Sequence, residues 1–429
     1  MIEKLIGQIR SGFERLKDPR EGKNRHYDFV DVCMAGYSVF HMQSPSILAH
    51  QERLNKIHGT HNGRTLFGFN EIPSDNQICN LLDQIDEKDT REIFDELHKN
   101  VNHKEFIAED GLVVALDGGY FFSSSKISCA CCLKRDHEGK TRHYHAMLVP
   151  ALIHPDQKCA LPLAPEFITA QDGAEKQDCE LNSAKRWCSE KKDWLVENKV
   201  TLLGDDLFSR GPLIQQLLNL GSVRFIFVAK PTSHKYLQEW LDAYSPQDIK
   251  THKTREKQGN KEHIFLYRFY HDVPLSGDIK SPDVNYFEMI VTDKKGKQLY
   301  YNTFVTNRSL TAQNIHRIAK MGRNRWKIEN EAFNILKTKG YNLEHNFGHG
   351  KKHLANVLAC FNLLAVLIHH LSETLCELYA SVRACFGART RFFQALAFSL
   401  SIQIFDSWHD FLTFVFTISK PQRLSRRSN

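Results

Sequence analysis

Three acidic residues occupy positions where a carboxylate is costly unless something pairs it or a cation binds it. Asp117 ends the apolar run Gly111-Leu-Val-Val-Ala-Leu, and Asp205 ends Val200-Thr-Leu-Leu-Gly, with Asp206 next to it. Glu329 lies in Arg325-Trp-Lys-Ile-Glu-Asn-Glu331-Ala-Phe-Asn-Ile-Leu-Lys337. At about 100° per residue, Ile315, Ile318, Met321, Ile328, Ala332, Phe333, Ile335 and Leu336 share one arc of a helix wheel. Arg325 and Glu329 fall inside that arc, whereas Lys327, Glu331 and Asn334 fall on the opposite, solvated side. Glu329 therefore reads in two ways: as the i,i+4 partner of Arg325, or as a metal ligand. Carboxylates gathered in one pocket repel, and a divalent cation is the natural compensation. Ligation by oxygen alone favours Mg²⁺ or Mn²⁺ over zinc. Two such ions about 3.5–4 Å apart can activate a water or a 3′-hydroxyl at a phosphodiester and stabilise the leaving oxygen.

Cysteines and histidines form a second set. Cys129-Ala-Cys131-Cys132 has C-x-x-C spacing, and His143-Tyr-His145 lies one hairpin further on, which allows a zinc site. Small cysteines on buried strands are equally ordinary packing. His345, His349 and His353 recur every four residues, but intervening glycines weaken a shared helical face.

The elements that must position these residues follow from periodicity. Residues 1–105 read as helical: Ile2, Leu5, Ile6, Ile9, Phe13 and Leu16 recur at helical spacing, a helix is predicted over 29–40, and Ser74 or Asp75 caps another. This portion is either a DNA-end-binding domain or a helical support. Gly59 to Gly68 reads as a polar loop. Over 106–230 the pattern is that of a buried-strand core. Strands are expected at 111–117, 125–133 and 144–153, then a helix over 173–198, a strand at 200–205, a helix over 211–220 and a strand at 223–229. In such a β-β-β-α-β order the first and fourth strands are neighbours, so Asp117 and Asp205 meet. The acid immediately past the strand is best placed to do so, which favours Asp205; Asp206 is the candidate cap. Residues 231–308 read as an all-β insertion, with a hairpin around Lys294-Lys-Gly-Lys and a mobile basic loop over 250–261. Residues 309–371 return to the core with the Glu329 helix, and 372–429 form a helical region with a basic, frayed tail.

At 429 residues, 41% hydrophobic and 25% charged, the chain has the make-up of a water-soluble globular protein of two or three structural units. A formal charge of +7 suits a polyanionic partner. The apolar stretch Leu354 to Leu371 is broken by Asn356, Asn362, His369 and His370, so a buried helix is expected and no membrane span. Eleven scattered cysteines argue against a disulfide framework, and Met1-Ile-Glu-Lys-Leu carries no signal-peptide pattern, so a cytoplasmic, nucleoid-associated setting is expected.

Leu116-Asp117-Gly-Gly, Leu-Leu-Gly-Asp205-Asp206-Leu-Phe208 and Arg325-Trp-Lys-Ile-Glu329-Asn together resemble the DDE transposases of bacterial insertion sequences, in the IS-four-type group, over roughly residues 111 to 370. The helix signature of that family is Tyr-two-Arg-three-Glu-six-Lys. The Arg-three-Glu spacing is kept here, Gly322 stands at the Tyr position, and Lys337 lies one residue past the expected lysine. The resemblance implies an α/β fold: a ribonuclease H-like catalytic core, a mixed sheet flanked by helices, with an inserted β-rich subdomain and an α-helical N-terminal domain. It implies Asp117, Asp205 and Glu329 as catalytic and metal-holding residues for two Mg²⁺ or Mn²⁺ ions, cleavage of double-stranded DNA at transposon ends, and strand transfer into target DNA. Joining two ends implies a homodimer in the DNA complex. Arg323, Arg325, Lys327, Lys337 and Lys339 are the candidate phosphate contacts, and Trp326 or Tyr341 a candidate base-stacking platform. A metal-dependent nuclease without strand transfer and a catalytically idle DNA-binding descendant are the rival readings.

Overall fold

The computed structural model describes residues 1–21, 25–137, 139–169, 178–245, 247–259 and 261–419. The expected basic tail and the start of the helix expected at 173 lie outside them. Twelve strands among the described residues form one mixed sheet: β1 (Ile107–Ala108), β2 (Gly111–Ser124), β3 (Leu133–His137), β4 (Lys140–Ile153), β5 (Ala160–Pro162), β6 (Glu166–Ile168), β7 (Thr201–Gly204), β8 (Arg224–Val228), β9 (Lys250–Gln258), β10 (Lys261–Pro274), β11 (Asp283–Asp293) and β12 (Gln298–Thr306). The order across the sheet is β3-β4-β2-β7-β8-β12-β11-β10-β9, with β5 and β6 paired to β4 and β1 to β2. β2, β7 and β8 run parallel; the remaining pairs are antiparallel.

Leu112 to Leu116 of β2 and all of β7 are buried, as a strand covered on both faces requires. The strand expected to end at Asp117 runs on to Ser124: Asp117 to Tyr120 are less buried, and Phe121 and Phe122 are buried again. Three further strand expectations need correction. The segment expected as a strand at 125–133 is mostly a turn through the cysteines, and β3 begins only at Leu133. Lys250 to Gln258, read as a mobile loop, is β9, paired along its length with β10 because Thr254, His252 and Glu256 alternate toward a covered face. The insertion is β-rich but not all-β, and its hairpin strands β11 and β12 continue the central sheet through the β12–β8 pairing.

Helices α1 (Ile2–Glu14), α2 (Phe29–His41), α3 (Ile47–Leu54), α4 (Ile57–Asn62), α5 (Asp75–Leu82) and α6 (Arg91–His98) form the N-terminal layer. The loop expected at 59–68 is helical instead, α4 running into a π turn over Gly63–Phe67. Helices α7 (Glu180–Glu190), α8 (Lys192–Glu197), α9 (Gly211–Leu218) and α10 (Lys235–Asp242) follow. Next come α11 (Ile315–Arg323), α12 (Trp326–Ile328) and α13 (Asn334–Thr338), then α14 (Leu354–Leu375), α15 (Glu377–Ala384), α16 (Arg389–Ile402) and α17 (Trp408–Ser419). Apolar α14 is buried from Leu354 to His369; α1, α2, α5 and α6 pack against it, so the N-terminal layer and the C-terminal helices share one core with the sheet. Its N-terminus is capped from outside: the Asp83 carboxylate accepts the N–H groups of Lys351, Lys352, His353 and Leu354 at 2.8–3.0 Å.

Candidate active site

β2 and β7 pair in register at Val113–Thr201, Val114–Leu202 and Ala115–Leu203. Two residues further along the same register, Asp117 within β2 lies beside Asp205, the first residue after parallel β7. The neighbouring acids divide the work. Among the described residues the Asp205 carboxylate accepts one hydrogen bond, from the local Leu207 N–H at 2.9 Å. Asp206 accepts the Lys230 N–H and the Ser233 hydroxyl and pairs with Arg210, so it holds the turn after β8 rather than capping the turn that follows it. The Asp117 carboxyl is largely buried and is pushed up to about 7. Burial is the main cause; Arg325 opposes it, and the carboxylates of Glu329, Asp205 and Glu180 add to it. All four charges therefore converge on Asp117.

Glu180 was not legible as a site residue. It sits at the start of α7, and burial followed by the Asp205 charge raises its carboxyl as well. The two glycines after Asp117 explain how the site closes. A Cβ on Gly118 would stand 2.1 Å from the Glu180 carboxyl carbon, and one on Gly119 would stand 2.3 Å from the Phe333 ring. Asp117-Gly-Gly is thus the flat strip of β2 that lets α7 approach on one side and the Glu329 helix on the other.

The Glu329 helix is not continuous. α11 ends at Arg323, α12 covers one turn, and a π turn runs from Glu329 to Phe333 before α13. π turns open the i→i+4 ladder by one residue and are frequent at functional sites. The break at 324–325 resets the wheel phase, which corrects two expectations. Glu329 does not face the core: its side chain is 49% exposed and pairs with Arg325 at 2.7 Å. Lys327, expected on the solvated face as a phosphate contact, is buried; its ammonium donates to the carbonyls of His154 and Pro155 at 2.6 and 2.8 Å. Among the described residues the three carboxylates are not packed within 4.8 Å of one another. Mutual repulsion and the hold of Arg325 on Glu329 account for that spacing.

Of the other expected contacts, Arg323 is exposed and lies over the Tyr300 ring at 4.7 Å, and Lys339 is exposed. Lys337 pairs with Glu344 at 2.7 Å. Tyr341 is buried, its hydroxyl bonded to His369 at 2.6 Å, so it offers no stacking surface. Trp326 is half-buried and, with Val228, Tyr300, Asn302, Arg323 and the Glu329-paired Arg325, lines a groove of about 390 Å³.

The second set of candidates is also drawn together, in a different combination. Cys129, Cys132, His145 and His349 place one ligand atom each within 4.8 Å of one another. Cys131, His143, His345 and His353 stay outside, His353 being bonded to Glu87 at 2.9 Å. No protein-family model matches this chain, and no curated protein matches it.

Proposed function

We propose that the chain is a DDE transposase that cleaves DNA at insertion-sequence ends and transfers the strand into target DNA, using Asp117, Asp205 and Glu329. The single observation that carries this reading is the register that sets Asp117 within β2 beside Asp205 at the end of parallel β7, with Glu329 acting on Asp117 from a helix far along the chain. The strand arrangement supports a ribonuclease H-like core: antiparallel β2, β4 and β5–β6, then helix, strand, helix, strand, with β2 beside β7. The π turn supports the helix signature. It adds about one residue to the helical repeat, so Lys337 takes roughly the phase that an uninterrupted helix gives to the seventh residue after Glu329.

The donor set fits Mg²⁺ or Mn²⁺. Asp117, Asp205 and Glu329 offer hard oxygen ligands only, and a buried carboxyl crowded by three others gains most from a cation. Such ions, when bound, supply a nucleophilic oxygen and stabilise the leaving oxygen of a phosphodiester. The chain's own residues do the rest. Arg325 offsets the acids before a cation does, Arg323 and Lys339 present exposed charge for phosphates, and Trp326 presents a ring to an unstacked base.

The test uses purified protein, Mg²⁺ or Mn²⁺, and DNA carrying the sequences that flank the coding region. End cleavage with joined products supports transposition. Nicking or cutting without joining supports the nuclease, and a mobility shift alone supports the idle DNA-binding descendant.

A further inference from the structure

We infer that Cys129, Cys132, His145 and His349 bind one structural zinc ion, which pins the segment between α13 and α14 to the β3–β4 hairpin. The separations are those of a tetrahedron. Zinc with Zn–S of about 2.3 Å and Zn–N of about 2.0–2.1 Å spans edges of about 3.8 Å between sulfurs, about 3.5 Å between sulfur and nitrogen and about 3.3 Å between nitrogens. Cys129 Sγ and Cys132 Sγ are 3.8 Å apart. His145 Nε2 lies 3.4 Å from each sulfur, and His349 Nε2 lies 3.4 Å from Cys132 Sγ. The two Nε2 atoms are 3.2 Å apart. A disulfide would need about 2.05 Å between the sulfurs, so the pair is not set for one.

The surroundings are built for ligation as well. Cys129 and Cys132 close a tight turn in which the Cys132 N–H donates to the Cys129 carbonyl and the Cys129 N–H points at Cys132 Sγ, 3.4 Å away. His349 Nδ1 bonds the Gly350 carbonyl at 3.1 Å, which fixes the tautomer that leaves Nε2 as a ligand. The next residues are held in turn by Asp83, and the Phe122 ring packs on the His349 ring at 4.4 Å. Cys132, His145 and His349 are buried, so the ion would be closed to substrate, as structural sites are. His349 comes 217 residues after Cys132, so the ion would join the edge of the sheet to the segment leading into α14. The inference does not rest on the reading of the carboxylates.

Metal analysis of protein made without a histidine tag and without chelators should find one zinc per chain. Cobalt substitution should give the intense visible bands of a four-coordinate site with thiolate-to-metal charge transfer. Cys129→Ser with Cys132→Ser should lose about tenfold or more of the bound metal and melt about 5 °C lower or more, whereas Cys131→Ser with His143→Gln and, separately, Asp117→Asn should keep the full metal content. Zinc below about a tenth per chain, undiminished zinc in the Cys129/Cys132 variant, or loss of zinc in the Cys131/His143 variant overturns the site. If the Cys129/Cys132 variant does not fold, the cobalt spectrum of the unaltered protein decides: absence of thiolate charge transfer overturns the site.

Discussion

Glu329 is the residue at which a structural and a chemical role can be separated by magnitude. Its pair with Arg325 is half exposed, and such i,i+4 pairs contribute only about 0.3–0.5 kcal/mol. Glu329→Gln should therefore leave the melting temperature almost unchanged while DNA cleavage falls by about two orders of magnitude or more. Asp117→Asn and Asp205→Asn should lose cleavage to a similar extent, and the losses should not add, because a shared site fails as a unit. Cleavage and melting measured on the same preparations distinguish this from a purely structural Glu329; normal cleavage by the Gln variant would sink the assignment. Lys327 should behave the opposite way. Lys327→Met strands the buried His154 carbonyl and the half-buried Pro155 carbonyl, at a cost of about 1–3 kcal/mol in urea unfolding, with no change in the salt dependence of DNA binding. A shallower salt slope would return Lys327 to the DNA surface.

At the level of elements, the close approach of the Glu329 helix to β2 depends on Gly119. An added methyl meets the buried Phe333 ring, and overpacking of this kind costs about 1–3 kcal/mol. Because Phe333 closes the π turn that begins at Glu329, Gly119→Ala should displace the carboxylate as well as strain the core. The expected outcome is a cleavage loss of about tenfold or more in protein that is still folded, read from single-turnover cleavage beside circular dichroism. Unimpaired cleavage with lowered stability would mean that the helix moves without carrying Glu329 away from Asp117. Gly322 makes a related point. A Cβ there would stand 2.7 Å from Ile226, so α11 lies too close to β8 for the tyrosine of the family signature.

For the whole molecule, the shared core of the N-terminal layer and α14 carries an acid liability. His41, His50 and His370 are held neutral by burial, their titration pushed down to about 3, and His98 to about 4 by the same cause. Folded values below the unfolded 6.5 mean that the unfolded chain binds more protons between pH 6.5 and about 3. Stability is complete above pH 6.5 and declines as the pH falls, by up to about 1.4 kcal/mol per histidine for each pH unit. Urea midpoints should drop clearly between pH 7.5 and 5.5, and less in a His50→Gln variant if it folds. A flat profile over that range would show that these rings are solvated.

Local pattern was enough to place what depends on neighbours in the chain. α1, α2, the cap expected at Ser74 or Asp75 and found at Ser74, and the β11–β12 hairpin followed from spacing, because burial on one or both faces imposes a repeat that can be read directly, and the adjacency of β2 and β7 followed from the order of strands and helix. Asp205 at the end of β7 followed for the same reason, whereas β2 runs on past Asp117 to Ser124. Tertiary structure alone decided the rest. Lys327 turned inward and Glu329 outward because an interruption of the helix at 324–325 and a π turn reset the helical phase, which a constant 100° wheel cannot represent. Lys250 to Gln258 became a strand because β10 offered an edge to pair with. Glu180 reached Asp117 only across a glycine on another element. The proposed ligands Cys129, Cys132 and His145 were within range of their own spacing, but the fourth, His349, is separated from Cys132 by 217 residues. Contacts of that separation are set by how sheet and helices pack, and no local period encodes them.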